Sequence, residues 1–135
     1  MLKRDYILKM IQELFAALER LLHNDNRQLT ERQRDVEALY TILGHDAQFF
    51  RSSTEQEILE SLTVFDDDYL QRVNMLAEIM YADAKLFVGN YEVRHDIIAK
   101  ALSLYTYVDE RSDDFSITRI DRIDELKKLL TQYQY

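Results

Sequence analysis

The chain has 135 residues (16.2 kDa), 47% of them hydrophobic, with no proline, cysteine or tryptophan, two glycines and a net charge of −8. That length suits one core-bearing domain over residues 1–135; the scarce turn residues argue against sandwiches and barrels, the missing cysteines exclude thiolate chemistry and zinc knuckles, and two distant glycines cannot form a glycine-rich phosphate loop. Residues 46–115 carry fifteen acids against six bases, a balance that repels phosphate backbones, so nucleic acid is not an expected partner.

Six helical segments follow from periodicity and cap chemistry. The first covers about residues 4–23, with Ile7, Met10, Ile11, Leu14, Phe15, Leu18, Leu21 and Leu22 on one stripe. Its charges lie opposite, as in an amphipathic helix with one buried face. The polar face mixes both signs, unlike a membrane-surface helix. Neither a signal-peptide core nor a window near the ~18 apolar residues of a membrane span is present, so a soluble cytoplasmic protein with no membrane partner is expected.

Residues 24–28 are polar and aperiodic, and read as a loop. Thr30 with Gln33 matches a capping box opening a second helix through Val36, Leu39, Tyr40 and Leu43, which Gly44 ends. Phe49 and Phe50 follow in a connector and are expected to plug the core. Thr54 with Glu57 is another capping box, starting a short helix through Ile58, Leu59 and Leu62.

The fourth helix, about residues 67–88, has two apolar faces: Val73, Leu76, Ala77, Met80, Ala84 and Phe87 on one, Met75, Ile79, Ala82 and Leu86 on the other. A helix apolar on most sides is packed between others, so this is the expected centre. Gly89 and Asn90 leave room only for an antiparallel hairpin. The fifth helix, about residues 91–110, turns Val93, Ile97, Ile98, Ala101, Leu102, Leu104, Tyr105 and Val108 inward. The sixth starts with Ser116 as N-cap and Phe115 and Ile120 as a hydrophobic staple, then repeats Ile117, Ile120, Ile123, Leu126, Leu129 and Leu130.

The chemistry-bearing groups are sparse. Asp66, Asp67 and Asp68 lack the glycine turn and distal glutamate of a calcium loop, and suit a helix start instead. His23, His45 and His95 have no metal-ligand spacing, so a metal or general-base role for them, or for His95 with Asp83, requires tertiary coincidence. Asp83 and Arg72 fall between the two apolar faces of the central helix, where a carboxylate needs a partner such as Arg72 or Arg94. No cofactor and no catalytic residue is implied. Tyr81, Tyr107, Tyr133 and Tyr135 lie on otherwise polar surfaces, and tyrosine is enriched at interfaces.

Residues 75–108 resemble one tetratricopeptide-type hairpin, on Ala82, the Gly89–Asn90–Tyr91 turn, and Ala101 with Leu102. Arg94 stands where that pattern has a small residue, and no proline closes the unit. The whole chain is also similar to a family of small, uncharacterised bacterial helical proteins. Its resemblance rests on Lys3-Arg4-Asp5-Tyr6-Ile7 with Met10-Ile11, the late hairpin, and a last helix through Ile120, Asp121, Arg122, Ile123, Asp124, Glu125 and Leu126. That family implies a bacterial, cytoplasmic setting and supplies no catalytic residues.

The expectation is an all-α, compact bundle of five or six helices with one tetratricopeptide-like hairpin over about residues 67–110. The favoured function is a protein-interaction domain that binds a peptide or partner helix. The resemblance places its contacts on the polar strip Asn74, Glu78, Tyr81 and Lys85, since the first helix of such hairpins lines the concave side. A structural homodimer and an uncharacterised enzyme or metal protein are the alternatives.

Overall fold

The computed structural model describes residues 2–64 and 68–132, with side chains from Tyr6 onward. Its helices are α1 (Leu2–His23), α2 (Leu29–Leu39), α3 (Ala47–Ser52), α4 (Glu55–Thr63), α5 (Tyr69–Leu86), α6 (Tyr91–Arg111) and α7 (Ile117–Gln132). A 3-10 turn, Tyr40–Leu43, extends α2, and no strand occurs among the described residues. The segment around Phe49 and Phe50, expected as a connector, is the short helix α3. Six residues are too few to display a helical period, but Phe50 is buried as expected.

α5 is the axis of the bundle. Both of its apolar faces are buried, because α6, α1, α2 and α4 pack around it. α7 lies on α6. One hydrophobic cluster draws side chains from every helix, from Ile7 on α1 to Leu126 on α7.

Several joints form as the residue types require. Gly44 ends the 3-10 turn at φ +98°, a conformation that L side chains rarely adopt. Thr54 and Glu57 form a reciprocal capping box at the start of α4. Asn90 Oδ1 accepts from Glu92 N at 2.7 Å and caps α6, and Ser116 Oγ accepts from Arg119 N at 3.1 Å and caps α7.

Other joints differ from expectation. α2 begins at Leu29, so Thr30 lies inside it and no capping box forms. Gln33 is buried instead, and its Oε1 accepts from Val88 N at 3.0 Å, tying α2 to the end of α5. Asp68 precedes α5 without a side-chain cap bond, and Asp66 and Asp67 lie outside the described residues. Phe115 stays 79% exposed, so its expected staple to Ile120 buries little of the ring. Ile117 is 67% exposed as well, since α7 turns Arg119 and Leu126 inward.

Asp83 is wholly buried, as its place between two apolar faces requires, but its cation is neither Arg72 nor Arg94. Arg51 of α3 donates to it from Nε at 2.9 Å and Nη2 at 2.7 Å, and Tyr40 donates from its hydroxyl at 2.6 Å. Arg94 Nε donates to Ala84 O. The Asp83 cluster thus locks α3 and the 3-10 turn onto α5.

Candidate functional site

The strip Asn74, Glu78, Tyr81 and Lys85 runs along one side of α5, at helical spacing, toward α7. Its C-terminal half is bridged by side chains of α7. Glu125 accepts from the Tyr81 hydroxyl at 2.8 Å and from Lys85 Nζ at 2.6 Å. Arg122 sets its guanidinium 4.1 Å from the Tyr81 ring centre, a cation–π contact. Burial works against the charge of Glu125, yet the hydrogen bonds from Lys85 and Tyr81 hold its carboxyl below the ordinary value. Tyr81 is therefore buried under α7, which corrects its placement on a polar surface.

The N-terminal half of the strip is open. α1 packs on α5 and α7 packs on α6, and between α1 and α7 two cavities of about 490 and 360 Å³ meet at Asn74 and Arg119. Phe15, Leu18 and Leu22 of α1 form one wall of the smaller cavity. Ser116, Thr118 and Arg122 form the other, and Glu78 lies between. The larger cavity continues past Gln71 to Arg111 and Asp113. This groove, with its floor on α5, is the candidate site.

Its polar groups are incompletely matched. Asn74 Oδ1 is buried and has no hydrogen-bond partner. Glu78 is 9% exposed, and burial pushes its carboxyl above the ordinary value, against the pull of Arg122. Arg122 Nε stands 3.7 Å from Glu78 Oε2, too far for a hydrogen bond. The Tyr105 hydroxyl sits beside the same carboxyl without completing a well-formed bond. Arg119, in contrast, is spoken for: it donates to Asp109 Oδ1 at 3.0 Å and to Asp114 O at 2.8 Å.

The remaining sequence candidates lie outside the groove. His23 ends α1, 3.9 Å from Glu19, and His45 stacks on Phe49 at 3.9 Å between ring centres before α3. His95 is half-buried on α6. Among the described residues no group of three or more His, Cys, Asp or Glu is placed to hold a metal ion. Tyr107 carries the Arg111 guanidinium 3.7 Å over its ring, and Tyr133 and Tyr135 lie outside the described residues.

Phe15, Arg119 and Arg122 were not singled out by sequence reasoning. Phe15 belongs to the apolar stripe of α1 but sits on its flank, 40% exposed at the groove wall. Arg119 and Arg122 carry a signal in their spacing, since with Leu126 and Leu129 they share the inward line of α7. Long arginine stems bury beside leucines while their heads find acids. Comparison with known proteins finds no matching family model, no matching curated protein and no matching solved structure. No helix among the described residues is long and apolar enough to cross a membrane.

Proposed function

We propose that this chain is a helical protein-interaction domain that takes a peptide or partner helix into the groove between α1 and α7. The observation that carries this reading is the opening itself: Asn74 and Glu78 are polar groups on the floor of a cleft whose near wall is apolar. Asn74 and Glu78 make the direct contacts, while Tyr81 and Lys85 act through Glu125 and fix the wall supplied by α7.

The α5–α6 pair is read as a tetratricopeptide-like hairpin within a domain of the similar bacterial, cytoplasmic family. Ala82 and Ala101, both wholly buried, and the turn at Gly89 and Asn90 support that reading. Arg94 departs from the pattern, and its bond to Ala84 O gives it a local purpose in the same corner.

The test is photo-crosslinking in the source cells. A photoreactive phenylalanine analogue at Thr118 or Phe15 is expected to give an adduct with another protein. The same group at Glu92, exposed at the start of α6 and outside the groove, should give none. Equal yields from groove and control positions reject the groove as the contact surface.

A further inference from the structure

We infer that the groove's occupant is a basic amphipathic segment of a partner protein, with one lysine or arginine head seated against Asn74 and Glu78. This rests on the reading of the groove as an interaction site and adds the chemistry of what enters it.

The floor requires a donor. Asn74 Oδ1 is a buried acceptor with nothing to accept from, and a buried polar atom left unmatched is costly. Glu78, beside it on the cavity floor, has its ion-pair partner Arg122 held 3.7 Å away. Asn74 Oδ1 is closed to solvent, and a half-turn of the amide about its soft terminal torsion presents it to an ammonium or guanidinium entering here, which also gives Glu78 a second counter-charge. Phe15, Leu18 and Leu22 provide the apolar wall along which a methylene stem lies while its head reaches the floor.

The rim selects the same sign. The arginines of the groove face acids, carbonyls or rings of this chain: Arg119 donates to Asp109 and the Asp114 carbonyl, Arg111 lies over Tyr107 beside Glu110, and Arg122 lies over Tyr81 beside Glu78, its Nε without a hydrogen bond. Glu19, Asp113 and Asp114 remain exposed at its edges. An acidic segment would meet these as like charges, and a second copy of this chain would bring its own charge of −8. The partner's other face is apolar, because Phe15, Leu18 and Leu22 line the smaller cavity and Ile11 and Leu70 the larger.

The experiment uses fluorescence anisotropy at near-physiological salt. Three labelled peptides of about eighteen residues share one leucine pattern at helical spacing and carry lysine, glutamine or glutamate at the remaining positions. The lysine peptide is expected to bind about tenfold tighter than the glutamine one, and the glutamate peptide weakest. Glu78→Gln and Asn74→Ala should each weaken lysine-peptide binding by roughly five- to tenfold. The double variant Glu31→Gln/Glu92→Gln removes the same sign of charge outside the groove and should leave binding unchanged. Circular dichroism confirms that each variant retains its helices.

If the glutamine or glutamate peptide binds as tightly as the lysine one, and Phe15→Ala weakens it, the groove stands and its preference for a base is overturned. Failure of all three peptides while Thr118 still crosslinks a partner has the same meaning. If the lysine peptide responds equally to Glu78→Gln and to the control pair, and not to Phe15→Ala, net charge alone governs binding. That result overturns both readings.

Discussion

Asp83 joins α5 to α3 and to the 3-10 turn through one buried carboxylate. Its carboxylate is fully enclosed and receives three hydrogen bonds, two from Arg51 and one from Tyr40. Removing one partner of a buried pair costs more than the pair contributes, because the other charge stays desolvated. Arg51 retains some access to water and a contact with Glu37 at 3.5 Å, which softens the loss. Asp83→Ala is therefore expected to cost about 3 kcal/mol, and Tyr40→Phe about 1 kcal/mol. Urea unfolding midpoints at constant slope read both. A loss under about 1 kcal/mol for Asp83→Ala would show the cluster to be dispensable. The need for a partner at Asp83 was legible from its place between two apolar faces. Its identity was not, since Arg51 lies 32 residues earlier in a segment without helical period.

At the scale of elements, the corner between α5 and α6 carries the tightest backbone requirement. Gly89 has φ +148°, and a Cβ there would stand 3.3 Å from the Phe87 ring. Val88 N in the same corner is held by Gln33 of α2. Gly89→Ala combines backbone strain with a crowded ring, and is expected to cost roughly 1–3 kcal/mol without changing helix content. Thermal unfolding followed by circular dichroism measures it; an unchanged midpoint would mean the corner relaxes at no cost. Helices long enough to repeat their apolar spacing several times, α1, α5 and α6, were legible in the sequence, as were Gly44, Gly89 and the Thr54–Glu57 box. The register of α7 was not, because Arg119 takes an inward position that a count of isoleucines assigns to Ile117. The Thr30–Gln33 pattern misled for a related reason. A glutamine three residues after a threonine can serve a distant backbone amide as well as its own helix.

Across the whole molecule the helices are held unequally, and the groove follows from that inequality. Thirteen of the eighteen residues of α5 are buried, which makes it the element whose opening exposes the core from every side. α7 buries only Arg119 and Leu126 fully, packs on α6, and reaches α5 through Glu125 and Arg122. Bridges made by Lys85, Glu125 and Arg122, which keep access to water, contribute less than packed apolar area. α7 should therefore open in a sub-global step that leaves α5 and α6 intact. Native-state amide exchange in low denaturant is expected to show the slowest amides in α5, with those of α7 exchanging through a smaller opening. Such an opening widens the groove while its floor on Asn74 and Glu78 stays in place, so a seated segment would slow α7 more than α5. Identical exchange free energies for α5 and α7 would mean that the molecule opens as one unit and that the far wall is as fixed as the floor.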